Sequence, residues 1–267
     1  MTHEFGLVAA GGVSQSFLAR MPGVLSHLGP IKAGSFRNAR RIANSLRRGQ
    51  AASHYSTLEA CSLIWIFVPE QSLDRIVRDL SAQTPIHRTM IVLVGVMRDS
   101  LWPSPLLSAG ARLATLNVVE GTRERNFVAE GHPDTLRVLQ RLFSAEKKKL
   151  IELAPAAKPF FFAGVQLSTS LLLPRISAAV ESFRAAGFQQ SDALAVAGSL
   201  GVQAIYVYEK TGRKIWNKKL AKELCLALET ELEPLRKADP RLAEAYAEGL
   251  RQTLEYFKAP VLQAPRK

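Results

Sequence analysis

The chain has 267 residues, 47% of them hydrophobic, which is enough for an ordinary core in one large domain or two smaller ones. Only two cysteines occur, Cys61 and Cys225, without metal-ligand spacing, and the five histidines (His3, His27, His54, His87 and His132) form no H-x-x-H or H-E-x-x-H pattern. No metal site and a reduced, cytoplasmic setting are therefore expected. The formal charge of +12 is spread over several segments, with short clusters at 37–48, 147–149 and 210–222. No zinc finger, helix-turn-helix spacing or RNA-binding aromatic signature accompanies it, so a basic solvated surface without a nucleic-acid partner is expected.

The first element is a short apolar strand, Phe5-Gly6-Leu7-Val8-Ala9, running through Ala10-Gly11-Gly12 into a helix that opens at Val13. A strand turning through small residues into a helix N-terminus offers unpaired backbone N–H groups to an anion, as in Rossmann dinucleotide sites. On the G-x-G-x-x-G pattern the three glycines fall on Ala9, Gly11 and Ser14, so only the middle one is kept. Ala10, Gly11, Gly12, Val13 and Ser14 are the candidate pyrophosphate cradle. The few apolar residues of this segment do not make a signal peptide.

Ile31 to Phe36 reads as a second strand, followed by a helix with Ala39, Ile42, Ala43 and Leu46 on one face. The end of this strand is where an acid would take the ribose 2′-hydroxyl of NAD and a cation the 2′-phosphate of NADP. Ser35, Arg37 and Arg40 stand there with no acid, a pattern that prefers NADP, since the guanidinium fork suits phosphate. Leu63 to Val68 is a continuous apolar run expected of a central parallel strand, stopped by Pro69. Leu73, Ile76, Val77 and Leu80 mark the next helix, and Met90 to Val94 another buried strand. Val68, Pro69, Val94 and Gly95 fall at strand ends where the ribose and nicotinamide would lie. Leu113–Leu116, Phe127–Ala129 and 149–153 read as further strands, and Pro133 opens a helix carrying Leu136, Leu139, Leu142 and Phe143.

Past Pro155 the strands cease. Pro159 to Pro174 is the longest apolar stretch, shorter than the roughly 20 residues of a spanning helix, and reads as a buried helix. Helix stripes follow around Phe183 and over 193–208, 215–232 and 242–257, the last opened by Asp239 as N-cap and Pro240 at the first helical position. The expected architecture is α/β: an N-terminal Rossmann domain with a doubly wound parallel sheet (1–154), an all-α domain (155–260) and a loose tail (261–267).

The turn Leu7-Val8-Ala9-Ala10-Gly11-Gly12-Val13-Ser14, the stretch Ser35-Phe36-Arg37, the strand end Val68-Pro69-Glu70, and Gly110 to Leu116 followed by Val128-Ala129-Glu130-Gly131 together carry a resemblance. They are similar to Rossmann-like oxidoreductases with a C-terminal helical domain, relatives of pyrroline-5-carboxylate reductase in the 6-phosphogluconate dehydrogenase-like superfamily. The resemblance implies an NADP cofactor, a substrate cleft between the domains, and a homodimer formed through the helices. Asn117 and Val118 stand where relatives carry a His-Pro pair, and Phe161 and Thr169 where they often carry a histidine and an asparagine. Lys158 sits near the helix on which superfamily dehydrogenases place a proton-donating lysine. Lys158, Asn117, Ser168 and Thr169 are the catalytic candidates. Relatives tend to have a Thr-Gly-Pro loop where this chain has Thr211-Gly212-Arg213-Lys214, and Arg213 and Lys214 are the candidate clamp for a substrate anion.

These readings lead to a cytoplasmic NADP-dependent oxidoreductase acting on a small acidic carbonyl, imine or alcohol, with no membrane partner. The alternative is a catalytically degenerate Rossmann protein that binds nucleotide as a sensor or scaffold.

Overall fold

The computed structural model describes residues 5–10, 13–120, 125–215 and 218–258. The chain divides into two compact units, residues 1–162 and 163–267. The sequence-expected tail at 261–267 lies outside the described residues, as do Gly11 and Gly12.

The first unit is built on an eight-stranded sheet in the order β3-β2-β1-β4-β5-β6-β7-β8. The strands are β1 (Phe5–Ala9), β2 (Leu28–Ala33), β3 (Gln50–Ala52), β4 (Leu63–Phe67), β5 (Met90–Val94), β6 (Arg112–Glu120), β7 (Arg125–Gly131) and β8 (Leu150–Glu152). Strands β1 to β6 run parallel, with registers such as Ala9↔Phe67 and Val94↔Leu116. The chain reverses at β7, which is antiparallel to β6 (Val118↔Phe127), and β8 then pairs parallel to β7 (Phe127↔Leu150).

Alternation within the apolar strands explains why helices cover both faces. Leu63, Trp65 and Phe67 of β4 pack on one side with Leu18, Met21, Ala39, Ile42, Leu136, Leu139 and Phe143. These come from α1 (Val13–Leu18) and the residue before α2 (Pro22–Ser26), from α3 (Phe36–Leu46) and from α6 (Pro133–Ala145). Ile64 and Ile66 pack on the other side with Leu73, Val77 and Leu80 of α4 (Glu70–Gln83) and Leu106 of α5 (Ser104–Ser108). A period of two along a strand buried on both faces yields an unbroken apolar run, as the sequence implied.

Two elements differ from the sequence reading. The second strand ends at Ala33 rather than Phe36. The reason is local: Asn38 N donates to the Ser35 hydroxyl at 3.2 Å, so Ser35 is the N-cap of α3 and Phe36 is already helical. The sheet is parallel only through β6, because β6 and β7 form a hairpin that apolar patterning alone could not distinguish from two crossover strands.

The second unit is all-helical: the end of α7 (Lys158–Leu167), then α8 (Leu173–Ala185), α9 (Gln190–Thr211), α10 (Lys218–Ala238) and α11 (Pro240–Lys258). Asp239 caps α11, its carboxylate accepting from Arg241 N and Leu242 N at 3.0 Å each, as the Asp-Pro pair predicted. The core is small, with Val180, Ala193 and Ala197 at its centre. The apolar stretch expected as a buried helix is not buried within the chain: Phe160 is 79% exposed and Leu167 and Leu173 62% each. No described helix is long and apolar enough to cross a membrane.

Candidate functional site

The strand order 3-2-1-4-5-6 reverses direction between β1 and β4, and such a switch point opens a crevice outside the carboxyl ends of the strands. A cleft of about 1180 Å³ lies there, made entirely from residues of the first unit. Ala10, Phe67 to Pro69, Val94, Gly95, Asn117 and Val118 line it, so the candidates at the ends of β1, β4, β5 and β6 meet at one place. Gly95 has a φ of +76°, a conformation that favours glycine, and its N–H donates to Leu116 O at 2.8 Å.

The opening turn is only partly described. Ala10 is exposed and its N–H donates to Phe67 O at 2.9 Å, tying the end of β1 to β4. Val13 and Ser14 are the first residues of α1, a helix of 6 residues. Ser35, Arg37 and Arg40 lie past β2, beside β1 in the sheet; Ser35 caps α3, and Arg37 and Arg40 are exposed on its first turns. They stand at the β2 flank, outside the lining of the cleft itself.

Lys158 is 2% exposed and does not line the cleft. Its ammonium donates to Val96 O at 3.0 Å and also to Arg98 O. Asn117, which does line the cleft, donates from Nδ2 to the same Val96 carbonyl at 3.2 Å. Together they fasten the segment that leaves β5. Carboxylates finish the fastening: Glu70 accepts from Met97 N and buried Glu130 from Ser100 N, both at 3.0 Å, while Arg98 reaches Asp74 at 3.1 Å and lies 4.3 Å over the Trp102 ring.

Burial pulls the Lys158 ammonium down to about 8, against the opposing attraction of Glu130, Asp99 and Glu70. An unfolded lysine titrates near 10.4, so above pH 8 the unfolded chain binds a proton the folded chain has released. Stability therefore rises with pH through 8 as the cost of the buried charge is relieved. Between pH 7 and 9 the urea midpoint of the protein should climb relative to that of Lys158→Met; parallel profiles would refute the assignment. The window stops at 9 because burial raises the Cys61 thiol to about 11, which lowers stability at higher pH.

The remaining candidates belong to the second unit. Thr169, in the turn after α7, donates its hydroxyl back to Val165 O of that helix at 2.7 Å, and Ser168 is exposed. Arg213 and Lys214 lie on a 3-10 turn, Gly212–Ile215, directly after α9, and Lys214 is exposed. Among the described residues no group of three His, Cys, Asp or Glu is placed to hold a metal ion.

Several cleft residues gave no functional signal in the sequence. Phe17, Arg20 and Met21, from α1 and the turn after it, and Phe127 of β7 form part of the wall, together with Lys147, Lys148 and Lys149 from the turn between α6 and β8. The lysine run was visible as a basic cluster. Its place in the cleft was not, because it depends on the reversal at β7, which brings the start of β8 to the end of the sheet where β6 finishes.

The sheet order, the cleft at the switch point and the following helical unit define a Rossmann-like α/β fold with an all-α C-terminal region. No protein-family profile matches the chain, and no curated protein matches it in sequence. Solved structures do match in shape. A Bacteroides fragilis protein designated an NADP oxidoreductase aligns with a TM-score of 0.75 at 11% identity, over 95% of this chain and 98% of that one. A pyrroline-5-carboxylate reductase from Coxiella burnetii aligns at 0.56 with 9% identity, over 97% of this chain and 98% of that one. A reductive aminase from Aspergillus terreus, in complex with NADPH and ethyl-5-oxohexanoate, aligns at 0.58 with 14% identity, over 97% and 93%.

Proposed function

We propose that this protein is an NADP-dependent oxidoreductase that exchanges hydride with a small carbonyl, imine or alcohol compound bearing an anionic group. The observation that carries the reading is the cleft at the β1/β4 switch point, roomy and largely apolar, with Arg37 and Arg40 and no acidic residue on the first turns of the helix that follows β2. The residues suit the cofactor: Ala10, Val68, Pro69, Val94 and Gly95 line the cleft with small or apolar groups, and Val13 and Ser14 open the helix that follows the β1 turn. Hydride chemistry belongs to the nicotinamide when it is bound, and the chain supplies position and charge. Asn117 is the polar group of this lining best placed to touch a substrate, while Lys158 acts through the segment it fastens.

The protein is proposed to be cytoplasmic, in keeping with two free cysteines, and to form a homodimer through its helices. A second copy would cover the exposed apolar residues of α7 and α9, including Val202, 67% exposed, and Ile205, 52%. Light scattering should give twice the chain mass, and Val202→Asp with Ile205→Asp should give the monomer.

The deciding experiment is thermal unfolding with NADPH. A ligand at 100 times its dissociation constant stabilises by about 2.7 kcal/mol, and no response to NADPH would refute the reading. A second reading, nucleotide binding without turnover, is favoured by Ala9 and Ser14 at two glycine positions and by the engagement of the Lys158 ammonium with two backbone carbonyls. NADPH binding with no oxidation of the cofactor across a panel of keto acids and cyclic imines would select it.

A further inference from the structure

One part of the cleft wall is one-sided in charge. Arg20, Lys147, Lys148 and Lys149 line it, and among the described residues no Asp or Glu does. Glu146, next to the lysine run in sequence, accepts from Gly23 N and is not part of the lining. Lys148 is engaged, donating to Arg20 O and reaching the Met21 sulfur at 3.1 Å, so it fixes the turn between α6 and β8 against the end of α1. Arg20, Lys147 and Lys149 are exposed and make no side-chain hydrogen bond or ion pair among the described residues. Phe17, Phe67 and Phe127 line the same cleft, with ring centroids 5.1 Å apart for Phe17 and Phe67 and 6.0 Å for Phe17 and Phe127.

We propose that this wall is a second anion site, separate from the β1–α1 turn, and that it takes the carboxylate of a substrate whose apolar or aromatic body rests on the phenylalanine floor. Adjacent cations without a partner among the described residues repel one another, and a bound anion relieves that repulsion while exchanging water for charge-assisted hydrogen bonds. A neutral compound of the same shape fills the floor and gains nothing from the wall. The site deepens the oxidoreductase reading by naming its substrate class, an arylalkyl or alkyl carboxylate, and it rests on that reading only for the chemistry, not for the binding.

The test uses benzoate and benzamide as probes of equal shape and different charge, measured by calorimetry on the full chain with and without saturating NADPH. Benzoate should bind at least tenfold more tightly than benzamide, and Lys147→Ala with Lys149→Ala should remove that preference; Lys148 is kept because it fastens the turn. NADPH affinity should change less than threefold in the same variant. Equal binding of benzoate and benzamide to the unaltered protein overturns the proposal. So does a variant that loses NADPH affinity while keeping the benzoate preference, which would assign the lysines to the cofactor phosphates. Benzoate binding without any NADPH binding would leave the anion site standing and refute the oxidoreductase reading instead.

Discussion

Phe143→Ala should destabilise the first unit by about 3–5 kcal/mol, the range for emptying a fully buried aromatic site. Phe143 is completely buried on α6, and its ring lies 4.5 Å from Phe127 and 6.5 Å from Phe17. Those two rings line the cleft, so the same change that opens a cavity also loosens part of the cleft surface. For a unit of this size a loss of that magnitude corresponds to a fall in melting temperature on the order of 10 °C. Calorimetry of the variant checks it. A loss below about 1 kcal/mol would mean that the α6 side of the sheet is not packed as described. Phe143→Leu, which keeps most of the volume, should recover much of the stability.

Charge reversal at the β2 flank should have the second largest effect. Arg37→Glu with Arg40→Glu is expected to weaken NADPH binding about 100-fold, or about 2.7 kcal/mol, the scale of one or two hydrogen bonds to a charged group. Binding of NADH, which lacks the 2′-phosphate, should change no more than a few fold. Both arginines are exposed, and an acidic residue at position 37, in the first turn of α3, suits the helix dipole, so folding should be preserved. Equal losses for both nucleotides would show that the arginines act through general charge, and no loss for either would place the 2′-phosphate elsewhere.

Where the sequence could be read, it was read through periodicity. The run Leu63 to Phe67 announced a strand covered on both faces, and the two faces are divided as alternation requires. The stripe Ala39, Ile42 and Leu46 announced the inner face of α3, and Asp239-Pro240 the start of α11. These features are local: capping, proline geometry and the period of a helix or strand need only neighbouring residues. The end of β2 is not legible in the sequence because Ser35 and Phe36 satisfy both a strand pattern and a helix start, and the Ser35 cap settles the competition.

Sequence alone determined that the chain alternates strand and helix before becoming helical, and that arginines rather than an acid follow its second strand. Tertiary structure decided which separated segments meet. The hairpin of β6 and β7 turned the chain so that Lys147 to Lys149 stand in the wall of a cleft opened by β1 and β4, more than fifty residues away in sequence. It also decided that Lys158, a candidate proton donor by position, spends its ammonium on the carbonyls of Val96 and Arg98. The physical reason is common to both: hydrogen bonding within an element is written in adjacent residues, whereas the direction of a strand and the partners of a buried charge are fixed only when distant backbone closes around them.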